Sequence, residues 1–393
     1  MMFGAIYVGL SGLNAYSKGL QQVSNNVANL NTTGFKGATV SFRNLYGQSD
    51  RGGMAMTGQG GSGGHGVAVD DGTLNFKQGE LRTTDRDLDL SVDGNGFLVL
   101  LDGDRTLYAR TGSFEVDTNG YIVMTGTSYR LATLDGDGRA VSLSIDSRRT
   151  SAPRPTATVT FADNLSSSAS AFTVGDIKVF DASGTAHGWT AKFTKDASAG
   201  TNAWSIAVTD DKGSAIGTQT LKFAGGSVDP TTTRLDFTDK ASGLTVAFDF
   251  SSGVTSFSGG DVSTLRAAKV DGYGAGTVTG LAADTGGRLQ LSYSNGQKVD
   301  LGAIALADFR DPAALEQRDG VFAAARDAQH MLLASEDPRV GQVRSKRLEA
   351  SNVDLSQQFG DLILIQRGFQ AASQIVSVSN DMIQQLFGIR GQG

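Results

Sequence analysis

Near the end of this chain apolar residues return at every seventh position: Leu355, Leu362, Phe369, Val376 and Ile383. A second set, Ile365, Ala372 and Leu386, sits three residues after members of the first, so both fall on one stripe of a helix predicted over 352–387. Such a stripe can supercoil against a neighbouring helix. Only Asp361, Arg367 and Asp381 are charged between Leu355 and Phe387, which suits a helix enclosed by other helices better than one facing water all round. Taken alone, the stretch reads equally well as the last core helix of a globular domain.

The other end of the chain shifts that balance. Ile6, Leu13, Leu20 and Val27 also recur every seven residues, with Tyr16, Val23 and Leu30 three positions further on; Leu10 joins this apolar set, and Lys18 is the one charge from Ile6 to Ala28. Two matching seams bring the chain ends together and leave everything between them as a protrusion. Gly9, Gly12 and Gly19 each lower helix propensity by about 1 kcal/mol relative to Ala, so the first helix needs partners to be stable.

Composition closes off other classes. The 393 residues suffice for two or three domains, and a net charge of −6 argues against a nucleic-acid or anionic-membrane surface. The absence of cysteine removes disulfides, thiol catalysis and cysteine-ligated zinc together. The N-terminus lacks a basic leader region, and the longest apolar run, Phe97 to Leu101, is too short to span a bilayer. Export, if it occurs, is therefore expected without the general secretory signal, and no membrane insertion is expected.

The first helix is expected to stop at the polar run Asn25, Asn26, Asn29, Asn31, Thr32, Thr33, whose side chains compete for backbone hydrogen bonds, with Gly34 closing the turn in the left-handed region. The segment from Asn25 through Gly34, Phe35 and Lys36, preceded by Gly9-Leu10-Ser11-Gly12-Leu13, resembles the N-terminal signature of the bacterial flagellar rod and hook proteins. At the other end, Leu348-Glu349-Ala350-Ser351-Asn352-Val353-Asp354-Leu355 and Gln366-Arg367-Gly368-Phe369 are similar to that family's closing motif, which usually lacks Gly368. Between them Asn95-Gly96-Phe97 and Arg110-Thr111-Gly112-Ser113-Phe114 resemble its inner β-domain, and Asp271-Gly272-Tyr273 with the Tyr293–Gln297 stretch resembles the hook protein rather than the shorter rod members.

The middle of the chain reads as β-structure. From Gly47 to Gly66 nine of twenty residues are glycine, interspersed with Met54, Met56, Ser62 and His65, which predicts a flexible connector; no Gly-Lys-Ser/Thr is present to make it a phosphate loop. Leu88 to Val92 alternates in polarity, Asn119-Gly120 and Asn295-Gly296 predict hairpin turns, and Pro153 and Pro155 mark a boundary before a Ser/Thr-rich block expected to form a β-sandwich or barrel. Asp85, Asp87 and Asp89 fail as a calcium loop, because Leu90 and Gly96 stand where Gly and Glu are required; like Asp135 and Asp137 they read as solvated edge and turn carboxylates. His65, His187 and His330 have no partner at metal-ligand spacing.

The fold expected is α+β, mainly β: N- and C-terminal helices pair as a coiled coil, with two β-rich domains inserted between them. The divisions are 1–36 for the helix and signature, 37–73 for the linker, 74–152 and 269–344 for an inner β-domain, 153–268 for an outer one, and 345–393 for the last helix. In the free subunit only Leu74 to Arg344 is expected to be ordered. No catalytic, cofactor or metal site is expected. The expected polymer interface is Ile6, Leu10, Leu13, Leu20, Val27, Leu355, Leu362, Phe369, Val376 and Ile383, and the signature residues are Asn25, Asn26, Asn29, Gly34, Phe35 and Lys36. The resemblance implies a structural subunit of the hook, the curved tube that transmits torque from motor to filament. It implies export through the flagellar type III apparatus without a cleaved signal, an extracellular place in the hook or basal body, and itself, the distal rod, the hook cap and the hook–filament junction proteins as partners. The alternatives are a distal rod protein of the same family, or a secreted β-rich adhesin or glycosidase, which would leave the paired heptads unexplained.

Overall fold

The computed structural model describes residues 2–44, 66–70, 72–260, 262–318, 320–325 and 328–390. Most of the glycine-rich segment, including Met54, Met56, Ser62 and His65, lies outside the described residues, as does the side chain of Leu386. Helix α1 spans Met2–Ala28 and helix α2 spans Leu355–Arg390. Contrary to expectation, α1 runs through Asn25 and Asn26. The Asn26 amide donates to Ala38 O at 2.8 Å and its oxygen accepts from Ala38 N at 3.0 Å, so it does not compete with the helix backbone. The chain then turns, and Gly34 takes φ 72°, the left-handed conformation expected of it.

The chain divides into two compact units, Met1–Asp146 with Leu281–Gln290 and Asp300–Gly393, and Ser147–Gly280 with Leu291–Val299. In the first, a twelve-stranded sheet runs in the order Glu316–Arg318, Val321–Ala323, Arg105–Ala109, Phe97–Asp102, Arg130–Leu134, Ile122–Met124, Thr111–Val116, Asp89–Asp93, Gln342–Ser345, with Ala140–Ser142, Leu306–Phe309 and His330–Leu333 pairing off this path. Its core gathers Phe97, Val99, Tyr108, Phe309 and Phe322, with Tyr108 meeting Phe309 edge-on at 4.7 Å. The strand Asp89–Asp93 lies between two neighbours and is buried from Asp89 through Val92, so the alternation in its sequence does not mark a wet face. Asp89 is accordingly not the solvated carboxylate expected: it is 3% exposed, with Arg86 at 3.8 Å.

The glycine-rich linker is bracketed by pairing rather than free at its ends. Ala38–Thr39 pairs with Thr73–Leu74, and Phe42–Asn44 pairs with Val67–Val69, antiparallel in both cases. Val67 N donates to Ser11 Oγ at 3.2 Å, which ties this ribbon to α1.

In the second unit ten strands join in one hydrogen-bonded order around a single core that includes Phe161, Trp189, Phe193, Trp204, Phe237 and Phe248. Thr158–Asn164 pairs in parallel with Leu244–Asp249 and antiparallel with Arg266–Val270.

One local device recurs in both units. In Asp-x-x-Gly-x turns beginning at Asp117, Asp135, Asp181, Asp210 and Asp284, the carboxylate accepts from the amides two and four residues on, and the glycine has φ between 69° and 86°. This is the three-residue hairpin closed by a left-handed residue, and the aspartate satisfies amides that the tight turn leaves open. The turn role of Asp135 is thereby explained.

Candidate assembly surface

The helix pair is built on small residues. Along α1 the buried positions are Gly9, Gly12, Ala15, Gly19, Val23 and Asn26, and along α2 they are Gln358, Ile365, Ala372 and Ser379. A Cβ at Gly9 would stand 2.7 Å from Val376 Cγ2, and one at Gly12 would stand 3.2 Å from Ala372 Cβ. The glycines that weaken α1 as an isolated helix therefore let α2 approach its backbone. Gly368, the departure from the family pattern, has the same explanation: the ring of Tyr16 occupies the space a Cβ would take. Asn26 Nδ2 donates to Gln358 Oε1 at 2.9 Å inside the pair, a buried polar contact of the kind that fixes register between helices.

The heptad seams lie mostly beside this contact rather than in it. Ile365 and Ala372, from the second set, are buried against α1, whereas Ile6, Leu13, Val27, Leu362, Val376 and Ile383 are only half-buried. Leu10, Leu20, Leu355 and Phe369 are exposed, Leu10 at 52% and Phe369 at 43%. Phe359 and Ile363 extend the exposed apolar surface near Leu355, and a further stripe of Leu364, Ile375, Val378 and Met382 runs along α2 at three-, four- and eleven-residue spacing. The heptad count missed this stripe because Gly368 and Ala371 occupy two of its positions. A helix with apolar side chains on several faces and so few charges is stable in water only when other surfaces cover it.

Beneath the helices a buried polar cluster ties the signature to the closing motif. Lys36 and Glu349 are both fully buried, with Lys36 Nζ 2.7 Å from Glu349 Oε1; Lys36 also donates to Lys77 O at 2.9 Å. Gly79 N donates to Glu349 Oε1 at 2.7 Å, and Arg110 Nε lies 3.5 Å from Glu349 Oε2. The Arg110 guanidinium also donates to Gly96 O and Gly94 O and sits 5.3 Å over the Phe97 ring. Burial pushes the Lys36 ammonium below its ordinary pKa, and the attraction of Glu349 offsets only part of that shift; burial lowers Arg110 likewise. Asn352 adds a second stitch, accepting from Gly37 N at 2.9 Å and donating to Asn75 O and Lys77 O. Of the signature residues, Gly34, Phe35 and Lys36 are buried at this cluster and Asn26 is buried in the helix pair, while Asn29 Nδ2 donates to Asn25 O at 2.9 Å at the helix end. The roles of Glu349 and Arg110 were invisible in sequence, although both stand in motifs singled out there.

Residues 6–36 match the family described as flagella basal body rod protein, residues 142–298 the flagellar basal body protein FlaE D2 domain, and residues 344–389 the flagellar basal body rod FlgEFG protein C-terminal. The flagellar hook protein FlgE of Escherichia coli strain K12 is 30% identical, over 97% of this chain and 98% of that protein. This chain belongs to the flagellar hook protein family. The hook proteins of Salmonella typhimurium and Borreliella burgdorferi are 29% and 28% identical, each over at least 97% of both chains. The crystal structure of Helicobacter pylori flagellar hook protein FlgE2 shares the fold, with a TM-score of 0.50 at 12% identity over 68% of this chain and 100% of that one.

The hook subunit is a structural protein, not an enzyme, and the three relatives named above, matched along the full length, are hook proteins. His187 faces Asp181 at 3.1 Å, and His330 lies 3.4 Å from the Tyr108 hydroxyl. Among the described residues no group of three or more His, Asp or Glu could hold a metal ion, and no helix is long and apolar enough to cross a membrane.

Proposed function

We propose that this hook subunit polymerises with itself into a helical tube through the apolar surface of its terminal helices, with the inserted β-regions lying outward. The observation that carries this reading is the exposure of Leu10, Leu20, Leu355, Phe369 and the Leu364 stripe on helices that already cover one another with their small residues. Ile6, Leu13, Val27, Leu362, Val376 and Ile383, half-buried in the single chain, complete the interface. Contacts between unlike faces that do not close into a ring generate a helix. In that polymer the regions 1–36 and 345–393 form the inner layers, 37–73 connects them to an inner domain of 74–152 and 269–344, and 153–268 forms the outer domain. Strong inner contacts with weaker outer ones allow the tube to bend while it carries torque. Export through the flagellar type III apparatus without a cleaved signal, an extracellular position, and contacts with the distal rod, hook cap and hook–filament junction proteins follow from the same reading.

Electron microscopy of the concentrated subunit tests it. Wild type should form tubes. Phe369→Asp would place a carboxylate in a covered helical layer at a cost of several kcal/mol per subunit, and should abolish them. Gln370→Asp, off the seam, should assemble. Tubes from Phe369→Asp indistinguishable from wild type would refute the interface.

A further inference from the structure

We infer that Glu349 is the keystone that makes closure of the N-terminal segment conditional on the C-terminal segment, so that only a chain with both segments in place presents its two helices together. Three stretches distant in sequence meet at this carboxylate. Lys36 belongs to the segment leaving α1, Arg110 to the bend between the strands Arg105–Ala109 and Thr111–Val116, and Glu349 to the segment entering α2. The two cations share one anion, and Arg110 repels Lys36. Without Glu349, seating the N-terminal segment would bury two like charges with nothing to neutralise them, which is far costlier than burying a matched pair. With Glu349, the same act gives Lys36 and Gly79 N an acceptor and brings Gly34 N to Glu349 O at 2.8 Å. Thr111 Oγ1, accepting from Glu349 N at 3.1 Å and donating to Leu90 O at 2.8 Å, holds the keystone's backbone to the sheet.

Charge counting distinguishes this role from ordinary packing. Removing Lys36 leaves Arg110 and Glu349 as a neutral pair, whereas removing the Glu349 charge leaves two cations. A residue that merely fills space would show no such asymmetry, and a second substitution would add damage rather than relieve it.

The experiment is amide hydrogen exchange on the full-length unpolymerised subunit, reading Gly34, Gly79, Glu349 and Ala350 against the strand Phe97–Leu101 as an internal reference. In wild type the four amides should be protected. Glu349→Gln should speed their exchange at least a hundredfold, in the N-terminal and C-terminal segments together. Lys36→Met should speed it tenfold or less. Lys36→Met combined with Glu349→Gln should exchange more slowly than Glu349→Gln alone, because one of the two unpaired cations has gone. If Glu349→Gln also loosens the reference strand, recovery of that strand in the double variant gives the same answer. Equal effects of the two single substitutions, a double variant faster than Glu349→Gln, or loss of protection confined to one segment would overturn the inference.

Discussion

At the scale of single residues, glycine has opposite effects at different points of the helix pair. Gly360 has nothing within 4 Å of where a Cβ would stand, so Gly360→Ala should stabilise α2 by about 1 kcal/mol through helix propensity alone. Gly9→Ala carries the same intrinsic gain but drives its methyl against Val376 Cγ2, a branched side chain with little freedom, so it should be neutral or destabilising. Thermal unfolding followed by helical circular dichroism separates the two; equal stabilisation would show that the close approach at Gly9 is not maintained in solution. Among the charged residues, Asp337 has its pKa lowered to about 2, first by the hydrogen bond from the Arg339 side chain and then by the Arg339 amide. The folded value lies below the unfolded one, so the stability this contributes is complete above about pH 4 and is lost as the pH falls through about 2. A side-chain NMR titration should place the midpoint there, and Arg339→Ala should move it up toward the ordinary carboxylate range.

At the scale of elements, α1 and α2 carry two kinds of surface at once. The small-residue stripe, with Val23 and Ile365, closes the pair within one chain, and Leu10, Leu20, Leu355, Phe369 and the Leu364 stripe remain outside it. A substitution on the first should disturb the subunit, and one on the second should disturb assembly alone. Phe369→Asp is therefore expected to leave the thermal transition of the free subunit unchanged, whereas Ala372→Asp, placed against Gly9 and Gly12, should lower it and separate the helices. Calorimetry of the two variants makes this comparison, and a shifted transition for Phe369→Asp would put that side chain in the subunit's own core.

At the scale of the whole molecule, the buried cluster revises where the ordered body ends. Sequence placed that limit at Leu74 and Arg344, but Gly34 to Lys36 and Arg347–Glu349 are held by contacts within the first unit. Limited proteolysis of the free subunit should leave Glu349 within the resistant fragment; early loss of Glu349 would contradict this. Removal of the region 153–268 also needs a different junction. Ala268 lies inside the strand Arg266–Val270, which pairs with Thr158–Asn164, so a cut there leaves strand fragments behind. Excising Ala152–Ala275, with a short flexible linker in its place, cuts outside the paired strands Thr150–Ser151 and Gly276–Ala283 and should leave a subunit that still forms tubes. Electron microscopy would show this, and a shortened chain that folds without polymerising would assign a primary contact to the second unit.

The amino-acid sequence by itself determined the helices at both ends, the β-rich middle and the hairpin turns, because helical periodicity and turn chemistry are local properties that a short stretch carries intact. It also carried the family, through Asn25 to Lys36 and Leu348 to Leu355. Two things were not legible in it. Heptad counting selects apolar side chains, so it picked out Leu355, Leu362 and Phe369 together with Ile365 and Ala372, but it could not register Gly9, Gly12 and Gly19, against which Val376, Ala372 and Ile365 pack and whose value lies in the room they leave. Lys36, Arg110 and Glu349 read as three unrelated charges in sequence. Only the tertiary structure brings them within reach across a separation of 313 residues, and it does so where water is excluded, which is what turns ordinary surface residue types into a buried cluster on which both chain ends depend.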